Sequence, residues 1–69
     1  MKNNETLVFF QSLSEKVKTA RNYKNLSQNE LSNLCDCSLS AIQRIEGGHT
    51  KKPSRLLAKQ LKKHLGVKL

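Results

Sequence analysis

Ser27-Gln28-Asn29-Glu30-Leu31-Ser32-Asn33-Leu34-Cys35-Asp36-Cys37-Ser38-Leu39-Ser40-Ala41-Ile42-Gln43-Arg44-Ile45-Glu46-Gly47-Gly48 is the stretch from which the architecture is read. Ser27 and Glu30 stand in the Ser-x-x-Glu pattern, in which hydroxyl and carboxylate each satisfy an unpaired backbone donor at a helix start. Leu31, Leu34 and Cys35 follow at positions i, i+3 and i+4, so the spacing predicts a short helix over about Gln28 to Cys35 with these three inward. Cys35-Asp36-Cys37 interrupts the pattern. Ser38 can cap a next helix, about Leu39 to Glu46, whose inward residues are Ile42 and Ile45. Gly47-Gly48 ends it, because glycine tolerates the left-handed conformation found at helix ends.

On the N-terminal side, Ser12-Leu13-Ser14-Glu15 repeats the capping pattern, and Leu13, Val17 and Ala20 recur at helical spacing, which places a helix over about Leu13 to Asn22. Residues 1–11 are either an arm or an extension of that helix, with Thr6 as its cap and Leu7 and Phe10 on its inward face. At least one of Phe9 and Phe10 is expected to plug the core. On the C-terminal side, Pro53-Ser54 opens a last helix in which Leu57, Leu61 and Leu65 stack and Gly66 is the stop. No segment alternates as a strand does. The fold class is all-α, a compact four- to five-helix bundle, with residues 12–69 as one domain.

The chain has 69 residues, a size that buries only roughly 60% of its extended surface. A large catalytic cleft is not expected. Hydrophobic residues make up 36% and charged ones 26%, a composition that folds rather than staying disordered. The net charge of +8 is unevenly placed: residues 1–46 hold six basic and five acidic residues, whereas residues 47–69 hold seven basic residues and no acid. One end of the molecule is therefore cationic. That asymmetry points to a polyanionic partner, first nucleic acid, then an anionic membrane or an acidic protein.

Cys35 and Cys37 are too close to staple distant parts of the chain and lack a second pair for a zinc site. His49 and His64 do not complete a metal set with them. Ser14 and Ser27 have capping duties, and neither paired catalytic carboxylates nor a glycine-rich phosphate loop occurs. The expectation is a binding protein without enzyme activity, metal, cofactor or small-molecule substrate. The longest apolar run, Leu7 to Phe10, is too short for a membrane span, and the last helix spends its leucines on the core instead of on a membrane surface. The expected location is the cytoplasm, at the nucleoid, or the nucleus.

Placing Ile42 and Ile45 inward at helical periodicity turns Ser40, Gln43 and Arg44 outward, with Leu39 at the edge. Two short helices around a tight turn, the second with a polar outer face, match a unit that inserts its second helix into a DNA major groove. Arginine pairs with the O6 and N7 of guanine, glutamine with the N6 and N7 of adenine, and a leucine can meet a thymine methyl.

Leu26-Ser27-Gln28-Asn29-Glu30-Leu31, continued by Ser38, Ile42, Ile45, Glu46 and Gly48, resembles the Cro and phage-repressor type helix-turn-helix family, the Xre-like regulators. The resemblance spans about Leu13 to Val67 and implies a lambda-repressor-like domain that binds double-stranded DNA as a transcriptional repressor. It places base reading on Leu39, Ser40, Gln43 and Arg44. Phosphate contacts fall on Gln28, Lys51 and Lys52, and the adjoining Arg55 is added to that set. Arg21 and Glu46 match an internal ion pair. Asp36 stands where the family usually has glycine, and Asp enters the left-handed region more readily than most residues. Most family members continue into a fifth helix, often the dimer contact, to which the pattern here does not extend; if the chain pairs, the resemblance implies a homodimer on a near-palindromic operator. The ending Leu65-Gly66-Val67-Lys68-Leu69 is similar to that of the multiprotein bridging factor domain, whose implied function is a coactivator that joins proteins rather than reading bases.

Overall fold

The computed structural model describes residues 12–69. Helices α1 (Leu13–Tyr23), α2 (Gln28–Cys35), α3 (Leu39–Glu46) and α4 (Arg55–Leu65) follow in order, with no strand among the described residues. Thr6, Leu7, Phe9 and Phe10, expected to extend the first helix or plug the core, lie outside the described residues.

A serine begins each helix. The hydroxyls of Ser12, Ser27, Ser38 and Ser54 accept from the backbone N–H of Glu15, Glu30, Ala41 and Leu57 at 3.3, 2.9, 3.1 and 3.2 Å. At Ser27 the capping box is reciprocal, with the Ser27 N–H donating to Glu30 Oε1 at 2.8 Å. Each such cap contributes about 1 kcal/mol. The last helix thus starts at Arg55, with Ser54 as its cap and Pro53 preceding it.

A left-handed residue follows each helix: Asn25 (φ 58), Asp36 (φ 55), Gly48 (φ 81) and Gly66 (φ 72). At the first three, two backbone bonds close the turn. They are Leu26 N–H to Arg21 O at 3.1 Å with Asn25 N–H to Asn22 O at 3.0 Å, Cys37 N–H to Ser32 O at 3.0 Å with Asp36 N–H to Asn33 O at 3.2 Å, and His49 N–H to Arg44 O at 2.9 Å with Gly48 N–H to Ile45 O at 3.1 Å. This paired pattern satisfies carbonyls that a helix end leaves open. Asp36 therefore takes the conformation that the turn between α2 and α3 demands of it.

Val17 from α1, Leu31 and Cys35 from α2, Ile42 and Ile45 from α3, and Leu61 and Leu65 from α4 are buried as one core. Leu13, Ala20, Leu26, Cys37, Leu57 and Val67 pack around it. Helix α3 packs on both α1 and α2, and α4 closes the bundle against the same two helices. One inward assignment is corrected. Leu34 is 45% exposed, whereas Ser32 is buried and its hydroxyl donates to Asn29 O at 2.7 Å. On α2 the buried arc runs from Leu31 through Cys35 to Ser32, and at 100° per residue Leu34 falls on the far side of Leu31. A serine can occupy the inner position because its hydroxyl is satisfied within its own helix.

Candidate nucleic-acid interface

Ile42 and Ile45 are fully buried, which fixes the opposite face of α3 outward. Leu39, Ser40, Gln43 and Arg44 are all exposed. Ser40 lies three and four residues before Gln43 and Arg44, so the three side chains are neighbours on one helical face. Leu39 is 38% exposed at the margin.

A groove of about 320 Å³ runs beside that face, between α3 and the segment leading into α4. Ser38, Ser40 and Arg44 line one wall, and Lys52 and Ser54 belong to the other, with no acid among its lining residues. The segment is tied to the helix, since Arg44 O accepts from both His49 N–H at 2.9 Å and Thr50 N–H at 3.1 Å. Ser54 caps α4 at this edge, and Arg55 is exposed at the first position of that helix. Lys51 and Lys52 share a hollow with Leu13, Lys16 and Pro53, but only Lys52 also lines the groove beside Arg44. Lys51 lines a further hollow with Ser12, Leu13 and Ser14 at the start of α1.

Behind the exposed face, the Arg21 guanidinium grips the Glu46 carboxylate, with Nε donating to Oε2 at 2.6 Å and Nη2 to Oε1 at 3.0 Å. The third arm, Nη1, donates to Leu26 O at 2.7 Å. Hydrogen bonding to Glu46 raises the Arg21 pKa above its ordinary value, against desolvation, and the opposite charge adds to the rise. Glu46 is 6% exposed and ends α3, where a negative charge opposes the helix dipole. The paired fork offsets both penalties. Gln28 also points here: its Nε2 donates to Glu46 Oε1 at 3.0 Å. The local sequence carries no sign of this contact, because its partners are eighteen residues apart.

Cys35 is buried and Cys37 half-buried, and both are free thiols. Burial, then the neighbouring Cys37, pushes the Cys35 thiol up to about 11. Burial, then Asp36, raises Cys37 as well. Neither has the electropositive surroundings that make a thiolate nucleophile. Among the described residues no three of His, Cys, Asp and Glu gather to hold a metal ion, and no described helix is long and apolar enough to cross a membrane.

No curated protein and no solved structure matches the chain. A family model described as Helix-turn-helix matches residues 17–69, from the middle of α1 to the last residue. With the two short helices, the left-handed turn between them and the outward polar face of the second in place, the chain belongs to this family, the Cro/C1-type helix-turn-helix DNA-binding regulators.

Proposed function

We propose that the chain is a sequence-specific repressor of the Cro type that reads double-stranded DNA by laying α3 in the major groove. Arg44 pairs with guanine, Gln43 with adenine, and Leu39 and Ser40 meet neighbouring base edges. Lys51, Lys52 and Arg55 hold the phosphates and set the register. The observation that carries this reading is the outward set Leu39, Ser40, Gln43 and Arg44 on a helix whose isoleucines are fully buried, beside a groove with two cations and no acid.

The regulator acts as a homodimer on a near-palindromic operator, with two copies of α3 in successive major grooves about 34 Å apart. Selection from random duplexes tests base reading and half-site symmetry together. Titrations then compare variants on the selected and a scrambled duplex. Arg44→Ala is expected to lose about 1 to 3 kcal/mol on the selected duplex alone. Equal losses on both duplexes would count against base reading, and selection that enriches no sequence favours the coactivator alternative.

A further inference from the structure

We infer that Gln28 is a positioning residue that holds the reading helix at a fixed angle, an inference that rests on the base-reading function proposed above. Ile42 and Ile45 fix which face of α3 turns outward, but apolar contact is non-directional and leaves the finer angle of the helix about its axis to be set by other contacts. Directional bonds set it. On α3 those bonds converge at Glu46, whose Oε2 accepts from Arg21 Nε and whose Oε1 accepts from both Arg21 Nη2 and Gln28 Nε2. Arg21 fastens Glu46 to α1, and Gln28 fastens the same carboxylate to the first turn of α2. The clamp lies two residues beyond Arg44 and, at 1.5 Å per residue, about 9 Å along the axis from Ser40. A small rotation released at Glu46 is therefore carried directly into the side chains that face bases.

A phosphate contact through the remaining amide N–H of Gln28 is compatible with this clamp, but it predicts something different. Loss of a phosphate contact weakens every duplex alike, whereas loss of a positioning bond lowers the preference for the operator. Gln28→Met keeps the length of the side chain and removes both amide functions. Gln28→Lys restores a donor toward Glu46.

The test measures binding of the full chain to a selected operator and to a scrambled duplex of equal length, at one salt concentration, together with the thermal midpoint of each variant. Binding is read at a temperature where all variants are folded. Gln28→Met is expected to lower the operator-to-scrambled ratio about 10-fold, with scrambled binding little changed, and Gln28→Lys to restore the ratio even as it tightens both. Parallel loss on the two duplexes, or a lower midpoint with an unchanged ratio, overturns the inference. A wild-type chain that binds both duplexes equally overturns the base-reading function itself, and is recognised because no variant is needed to see it.

Discussion

Arg21 reaches across from α1 to bind Glu46 at the end of α3 through two parallel bonds, of 2.6 and 3.0 Å, with the two side chains only 14% and 3% exposed. Removing the arginine leaves the buried carboxylate without its counter-charge, held by the bond from Gln28 Nε2, and deprives Leu26 O of the same guanidinium. Arg21→Ala is therefore expected to lose about 3 kcal/mol. In a domain this small that lowers the thermal midpoint by about 12 °C or more. Arg21→Lys should recover little, since an ammonium cannot reproduce the fork. Thermal denaturation followed by circular dichroism checks both, and an unchanged midpoint for Arg21→Ala would place the pair outside the stabilising set.

Asp36 occupies a left-handed turn at φ 55 and sits with its negative charge at the C-terminal end of α2. Glycine relieves the backbone strain and removes the unfavourable charge. The expected result for Asp36→Gly is a gain of about 1 kcal/mol, with Asp36→Ala losing stability because alanine keeps the steric conflict without an Asp side chain's local bonding. Urea denaturation of the three proteins gives the order directly.

Cys35 links stability to alkaline pH. Its folded thiol has a pKa of about 11 against an ordinary 9.0, so the neutral form is favoured by folding. The unfolded chain releases this proton first. The contribution is complete below pH 9 and declines as pH rises toward 11, for a total of about 2 to 3 kcal/mol. Wild type should exceed Cys35→Ala in stability at pH 8, and the gap should narrow by pH 11. A gap independent of pH would show that the thiol is not the group responsible; lysine ionisation is common to both proteins and cancels.

Lys51 and Lys52 should separate in their salt dependence. Both line a hollow beside Leu13, but only Lys52 also lines the groove beside Arg44. Lys52→Ala is expected to reduce the slope of log affinity against log salt by about 1, and Lys51→Ala by clearly less. Titration of scrambled duplex at four salt concentrations measures both slopes. The reverse order would move the DNA-facing edge toward the start of α1.

The helices were legible from local chemistry. Ser12, Ser27, Ser38 and Ser54 announce the starts, and the leucines and isoleucines mark the inner faces within one turn of their neighbours. So was the outward set of α3, because two buried isoleucines three residues apart leave little choice of face. Leu34 was misplaced for an equally physical reason. Its spacing fits an apolar stripe, but which flank of Leu31 is covered depends on where α3 and α4 lie.

Serine caps, helical period and the one-sided charge were thus settled within windows of a few residues, since each depends on neighbours along the chain. Of the two Ser-x-x-Glu patterns, however, only that at Ser27 closes as a reciprocal box. Two things belonged to the tertiary structure: the arrival of Gln28 at the Arg21–Glu46 pair, and the groove shared by Arg44, Lys52 and Ser54. Each depends on the angles between helices. Those angles come from packing one core from four helices and from left-handed turns that a linear pattern does not measure.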